Sequence, residues 1–322
     1  MPTLKFIVSA EFSGLRLDVF LVGQTQKSRT LIQEHVQNES VTINSRISTK
    51  PSHRLIEGDE ISIELQEESG FSLEPVAAPL DILYEDESLL VLNKAQGVVV
   101  HPAAGHQGDT LVHHLLHYLG QSEAFRESSS LRPGIVHRLD KGTSGVLLVA
   151  KNRQIQDALS SQFKSREVKK VYECIVWGQI KREGVLKSAI GRDRVHRKKM
   201  SSKSSRGKEA ETRFSPSSIF RSFTHLSVFP LTGRTHQIRV HLSEFGHSIV
   251  ADPLYGKGLT AKRTEEIGNS LKTLISETEH PFLHAASLAF QHPVSGKVLQ
   301  IEAPKPSGFI ELLELLRQEN SQ

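Results

Sequence analysis

Apolar positions along this chain recur first with helical and then with strand spacing, and the places where the spacing changes mark out its parts. Leu15, Leu17, Phe20 and Leu21 have the spacing of a helix, and Ser28 opens a second helix that carries Ile32 and Val36 on one face. A short strand Val41–Ile43, a turn at Asn44-Ser45, the pair Gly58-Asp59 and the alternating run Ile61–Leu65 follow. Residues 14–65 therefore read as a small α/β module. Residues 66–80 hold Glu67, Glu68, Ser69, Gly70, Pro75 and Pro79 with little periodicity, which predicts an acidic linker.

Beyond the linker, strands dominate. They are expected at Leu89–Leu92, Gly97–Val100, Gly134–Val136, Val146–Ala150, Val171–Trp177, Thr224–Pro230 and Val298–Glu302. Helices fit Thr110–Leu119, Ile155–Phe163 and Phe309–Gln318. Strands and helices interleave without regular alternation, so residues 81–322 are expected to form an α+β domain around a mixed, largely antiparallel sheet. No internal repeat is visible.

One turn in this second domain is unusual. From Gly134 to Lys151 the chain reads Gly-Ile-Val-His-Arg-Leu-Asp-Lys-Gly-Thr-Ser-Gly-Val-Leu-Leu-Val-Ala-Lys, which sets Asp140 in a polar reversal between two apolar runs. Gly142 and Gly145 are expected to supply the backbone freedom of the reversal. By itself such an Asp can simply make the turn. Equally it can be a carboxylate held rigidly over buried strands and open to a substrate.

Composition narrows the setting. A chain of 322 residues with 37% hydrophobic content can bury more than one core. Its one cysteine, Cys174, lies in the apolar run Tyr172–Trp177, which points to a buried thiol in a reducing compartment. No basic-then-apolar leader opens the chain, and no apolar run is long enough for a membrane span, so a cytoplasmic monomer without membrane attachment is expected.

The net charge of +4 hides an uneven distribution. Leu55–Asn93 has eleven acids and no Lys or Arg, leaving 40 basic residues against 25 acidic ones elsewhere. Such a separation suits a polyanionic partner. The stretch Arg192–Lys208 alone holds eight basic residues and one acid, interspersed with Ser and Gly; it reads as a flexible basic hairpin that closes over such a partner or as a solvated loop. Of the sixteen histidines, His113 and His117 have the spacing of helical metal ligands, but position 114 is His where a hydrolase motif requires Glu, so no metal is expected.

Several stretches together resemble the RluA family of RNA pseudouridine synthases, in its RluD-like branch. They are His137-Arg138-Leu139-Asp140 with Thr143-Ser144-Gly145, Val91–Gly97, Val100–Gly105 with Thr110-Leu111-Val112, Lys169–Tyr172, Thr232–Leu242, Ala251–Gly256, Phe282–Ala285 and His292-Pro293. Residues 14–65, with Arg16-Leu17-Asp18 and Ser28-Arg29, resemble the S4 RNA-binding domain. Two departures stand out: Ala95 follows Lys94 where the family commonly has Pro, and Ser45 follows Asn44 where Gly is usual.

The resemblance implies isomerisation of uridine in RNA without a cofactor. The bond from C1′ to N1 breaks, the uracil turns, and C5 is joined to C1′. By resemblance Asp140 is the catalytic carboxylate, Arg234 the cation that pairs with it, and Tyr172 an aromatic stacked on the uracil with its hydroxyl near the C5 proton. From spacing alone Arg234 reads as a surface arginine and Tyr172 as a core aromatic; only the resemblance reverses this.

Arg138, two residues before Asp140, is expected to fill the space left by a flipped base or to contact phosphate. His137, Lys94, Arg16, Arg29, Arg46, Lys198, Lys199 and Lys208 are the further RNA contacts expected. The substrate expected is large-subunit (23S) ribosomal RNA, with transfer RNA or a purely RNA-binding role as the alternatives.

Overall fold

The computed structural model describes residues 3–25, 27, 29–64, 74–102, 109–120, 133–196 and 198–320, in two compact units, Met1–Leu73 and Glu74–Gln322. In the first unit, β1 (Thr3–Ile7), α1 (Leu17–Thr25), α2 (Arg29–Gln37), β2 (Val41–Ile43), β3 (Arg46–Ile47) and β4 (Glu60–Glu64) follow in order. Its antiparallel sheet has the order β1-β4-β2-β3. Leu17, Phe20 and Leu21 of α1 and Ile32 and Val36 of α2 are buried against Val41, Ile61 and Ile63 of the sheet.

This unit begins before residue 14, the expected boundary, because Thr3–Ile7 pairs with Glu60–Glu64. As a mostly exposed edge strand, β1 carries no clear alternation by which the sequence would reveal it. Asn44 and Ser45 both have positive φ, 50° and 64°, as a two-residue hairpin turn requires, so Ser45 takes a conformation that Gly would adopt without strain. The expected helix start at Ser28 and residues 65–73 of the linker region lie outside the described residues. The linker's other end, from Glu74, belongs to the second unit, where the Val76 amide donates to the His113 carbonyl.

The strands of the second unit are β5 (Ile82–Glu85), β6 (Leu89–Lys94), β7 (Ser144–Ala150), β8 (Lys169–Trp177), β9 (Gly184–Arg192), β10 (Met200–Ser201), β11 (Lys208–Ile219), β12 (Phe223–Pro230), β13 (Leu283–Gln291) and β14 (Val298–Glu302). The helices are α3 (Leu111–Leu119), α4 (Arg153–Ser165), α5 (Gln237–Glu244), α6 (Ala261–Glu266), α7 (Asn269–Glu277) and α8 (Ser307–Asn320). The strand order is β10-β9-β11-β12-β8-β13-β7-β6-β5, with β14 on β13. Among the described residues only the β13–β7 pair is parallel, so the sheet is mixed and largely antiparallel, as expected.

Alternation explains the two-sided burial at its centre. Leu90 and Leu92 of β6 face Leu111 and Leu115 of α3, whereas Leu89 and Val91 join Ile155 and Leu159 of α4. Each such side chain contributes about 2 kcal/mol by leaving water.

Two expected strands take other forms. Residues 97–100 make a turn and loop, because Gly97 has φ +85° and gives its amide to the Lys141 carbonyl, while the Val99 and Val100 carbonyls accept the first amides of α3. Gly134–Val136 makes one isolated bridge, Ile135 to Val149. The long β11 gives no strand signal in the sequence, because the alternating buried positions of its first half, Ala210, Thr212 and Phe214, are not uniformly apolar and Pro216 and Ser218 flank a register shift in its second.

Candidate active site

Sheet register brings distant sequence together beside Asp140. One row runs Gly145–Ala285–Tyr172–Val228 across β7, β13, β8 and β12. With neighbouring strands about 4.8 Å apart, Tyr172 lies roughly 10 Å across the sheet from the start of β7. Asp140 sits on the turn that feeds β7, its carbonyl accepting the Thr143 amide at 3.0 Å. Gly145 has φ +110°, and a Cβ there would run into the Ala285 backbone. Gly142 has no positive φ; its expected conformational role is instead one of space, since a Cβ would meet the Pro281 ring at 2.8 Å.

Asp140, Arg138, His137, Tyr172, Arg234, His236 and Arg239 all line one pocket of about 450 Å³. Its far wall is the turn Leu231–His236 and the first turn of α5. Gln237 shapes that turn: its Oε1 accepts from Thr232 Oγ1 at 2.6 Å and from the Arg234 amide at 3.1 Å, while its Nε2 donates to the Glu211 carbonyl and to Thr212 Oγ1.

The arginine that reaches Asp140 is Arg239, not the expected Arg234. Arg239 Nη1 stands 3.5 Å from Asp140 Oδ2. Its Nε and Nη2 donate to the two Asp252 carboxylate oxygens at 2.7 and 2.8 Å. Arg234 instead directs its Nε to the Glu209 carbonyl at 3.1 Å, on the turn before the helix.

Both arginines lie in the same motif, and only the helical phase of α5 decides which one points under the turn. A signal was nonetheless present: Arg239 stands in the run Ile238–Leu242, and a charged residue inside an apolar run is normally buried with a partner. Arg239 is 6% exposed and Asp252 fully buried. Burial works against both charges, yet each holds the other ionised: the arginine is raised further, and Asp252 lies below the usual carboxylate range.

Asp140 differs from Asp252. Its side chain is 17% exposed, with a single long contact to Arg239, so most of its acceptor capacity faces the pocket. Burial, helped by the Asp140 charge, pushes the Tyr172 phenol well above its ordinary value, so it stays protonated. Arg138 is exposed, Leu139 buried and Asp140 half-buried, the alternation expected of an extended segment.

Two residues expected to contact RNA serve other ends. Lys94 is 2% exposed, and its ammonium donates to the Ala95 and Val98 carbonyls at 2.8 and 2.9 Å and, more weakly, to Lys141 at 3.4 Å. It braces the loop under Asp140 and presents no charge to phosphate. Burial pushes it down to about 7, against the pull of Asp140. His137 accepts the Leu148 amide on Nε2 at 2.9 Å and stacks on Phe163 at 4.7 Å; burial first, then Lys170, push it down to about 3, so it lines the pocket as a neutral ring.

Arg46, Lys198 and Lys208 are exposed, and Lys199 is half-buried over Tyr255; residue 197 of the basic run lies outside the described residues. Arg16 and Arg29 are partly exposed, yet both are tied to the buried Asp18. His113 is spent on capping α3 at Thr110. Among the described residues no cluster of His, Cys, Asp and Glu is arranged to hold a metal, and no helix is long and apolar enough to cross a membrane.

With this geometry in place, comparison with known proteins is decisive. The family model for RNA pseudouridylate synthase matches residues 88–244. Ribosomal large subunit pseudouridine synthase D of Escherichia coli strain K12 is 35% identical over 317 residues, covering 98% of this chain and 94% of its own. The chain belongs to the RluA family of RNA pseudouridine synthases.

An uncharacterized RNA pseudouridine synthase of Chlorobaculum parvum is 37% identical over 319 residues, 96% of each chain. Among solved structures, human RNA pseudouridylate synthase domain containing 1 is 26% identical, with a TM-score of 0.53 over 73% of this chain and 85% of that one. Human RNA pseudouridylate synthase domain containing 4 shares the fold, with a TM-score of 0.57 at 24% identity over 74% and 93%. This synthase is therefore an RNA-modifying isomerase, the enzyme class expected from its motifs.

Proposed function

We propose that this synthase converts uridines of large-subunit ribosomal RNA to pseudouridine, with Asp140 as the reacting carboxylate, Arg239 as the cation that orients it, Tyr172 as the aromatic under the base and Arg138 as the residue at the pocket mouth. The substrate class follows the near full-length likeness to a ribosomal large subunit pseudouridine synthase D.

The observation that carries the site assignment is the asymmetry around Arg239. Its two shortest bonds go to Asp252, which fixes the guanidinium, and its free edge meets Asp140 at 3.5 Å. Asp140 is thus steered by a rigid cation without being used up by it, which suits a carboxylate that must act on a bound nucleotide. A target uridine inside a helix has to leave its stack at a cost of about a few kcal/mol, and Arg138, exposed at the pocket that Asp140 lines, supports a reading in which its guanidinium stacks where the base was.

Isomerisation breaks the C1′–N1 bond, joins C5 to C1′, and moves the C5 proton away while N1 gains one. A protonated Tyr172 cannot act as a phenolate, so it supports the base by stacking and by its hydroxyl lone pairs. The first unit, with Arg46 exposed and Arg16 and Arg29 partly so, is read as an S4-like RNA-binding module.

Tritium release from large-subunit ribosomal RNA labelled at uridine C5 tests the activity. Turnover by wild type and none by Asp140→Asn is the result expected; equal turnover by the two would sink the assignment. Chemical mapping of pseudouridines in ribosomal and transfer RNA, from cells with and without the protein, tests the substrate. Loss confined to transfer RNA would overturn the ribosomal reading.

A further inference from the structure

His236 occupies an unusual position in the pocket wall. It is the residue before α5 and has φ +55°, in the left-handed region, without a side-chain capping bond. A non-glycine residue there carries backbone strain of about 1 kcal/mol or more, so the surroundings must hold it. Its ring lines the pocket together with Asp140 and Arg138. The partner that fixes the ring is Tyr255, whose hydroxyl lies 2.7 Å from His236 Nδ1.

The same hydroxyl accepts the Met200 backbone amide, at 2.8 Å, from β10 in the basic hairpin. These two bonds bear on where protons sit. An amide can only donate, and burial keeps the Tyr255 phenol protonated, its pKa pushed up to about 12. The arrangement that also uses the hydroxyl's own proton has it receiving from Met200 and giving that proton to His236 Nδ1. In a neutral imidazole the other nitrogen, Nε2, must then carry the hydrogen.

Burial does favour the neutral ring, although Asp140 and Asp252 pull toward protonation and Arg239 and Arg138 oppose it. Tyr255 is itself anchored. Asp252 Oδ1 accepts its amide at 3.0 Å, Ser243 Oγ donates to its carbonyl at 2.9 Å, and the Arg239 guanidinium lies 5.1 Å from its ring centre.

We propose that His236 is a substrate-contacting residue of this synthase, its Nε2–H donating to a carbonyl oxygen of the flipped uracil, and that Tyr255 is the positioning residue that fixes this tautomer when the basic hairpin is seated. The inference rests on the reading of the pocket around Asp140 as the active site. Its chemical reason lies in the bond that breaks. When C1′–N1 parts with its electron pair on the base, the uracil carbonyl oxygens take up negative charge, and a fixed donor at that point counts most in the transition state. Two ring nitrogens point to opposite sides, so the one turned from Tyr255 is free for this task.

Full-length protein tests the proposal through single-turnover tritium release from C5-labelled large-subunit ribosomal RNA, RNA affinity, and nitrogen-15 spectra of the His236 ring. In the free wild-type protein the spectra should show the Nε2–H tautomer, shifting toward a mixture in Tyr255→Phe. His236→Leu should slow the single-turnover step by about 100-fold with affinity changed less than about threefold, and His236→Gln, which keeps an N–H donor, should recover at least about tenfold of that loss. Tyr255→Phe should cost roughly tenfold in rate.

An Nδ1–H tautomer in wild type, a normal rate in His236→Leu, or no recovery by Gln in a folded protein would each overturn it. If wild type and Asp140→Asn instead turn over alike, the active-site reading fails, and the tautomer measurement still stands or falls by itself. Should His236→Leu fail to fold, the comparison of His236→Gln and Tyr255→Phe with wild type decides.

Discussion

Each unit of this synthase buries an aspartate against arginines, and the two clusters use the same residue types to opposite ends. In the N-terminal unit Asp18 is the centre. It accepts from Arg16 at 2.9 and 3.0 Å, from Arg29 at 3.0 and 3.1 Å and from Gln33 at 2.7 Å, while the two arginines remain 39% and 54% exposed. In the C-terminal unit the centre is an arginine, Arg239, between the sealed Asp252 and the half-open Asp140. A carboxylate saturated with donors is an anchor, because nothing is left for a substrate. One that shares its cation with a stronger partner keeps its lone pairs for chemistry.

The sharpest way to break the comparison is to neutralise each carboxylate in turn. Asp140→Asn should lower the single-turnover rate by about four orders of magnitude while changing stability by less than about 1 kcal/mol, seen by tritium release and thermal unfolding. Asp252→Asn should do both kinds of damage: a stability loss of about 3 kcal/mol, since Arg239 is left buried with one weak partner, and a rate loss of about a hundredfold. A stable, fully active Asp252→Asn protein would show that the guanidinium needs no second carboxylate.

Asp18→Asn should destabilise the N-terminal unit by about 2 kcal/mol and leave the rate on saturating RNA near wild type. Its pH dependence is a finer test. The Arg16 bond first, with Gln33 and Arg29, outweighs burial and holds Asp18 far below its ordinary range. The contribution is therefore fully present above the unfolded value of about 3.9 and is lost as pH falls through the depressed folded value. Acid unfolding of residues 1–73 followed by circular dichroism should lose this component in the mutant.

Lys94 gives a slope of the same sign in a more alkaline window. Its folded value of about 7 lies below that of an unfolded lysine, about 10.4, so the unfolded chain binds the extra proton between them and stability rises with pH across that window. Lys94→Met should flatten the rise in denaturant titrations between about pH 7 and pH 10. The smallest effect belongs to the exposed cations. Lys198→Gln with Lys208→Gln should reduce the log-log salt slope of RNA binding by about 0.7 for each phosphate that a lysine no longer neutralises. An unchanged slope would place both clear of the RNA.

Much of the fold was legible in the sequence, and the reason is periodicity. Runs such as Val146–Ala150 and Val171–Trp177, or the helix at Leu111–Leu119, must bury apolar faces wherever they sit, so pattern alone reveals them. The strand β1 and the helix α5 lack that signal, the first because it is mostly exposed and the second because Gln237, Arg239 and His241 are buried polar residues whose partners come from other elements.

At the site, the linear pattern is enough to set Asp140 on a tight turn ahead of a buried strand and Tyr172 on another strand, because both facts are local. The folded arrangement alone settles which arginine meets the carboxylate, that Lys94 is spent on backbone carbonyls, and that His236 answers to Tyr255. The first and last depend on pairings between separate elements, set by sheet register and helical phase, and the Lys94 bonds, though mostly to near neighbours, depend on the loop after β6 folding back over its ammonium; a linear pattern carries no information on either.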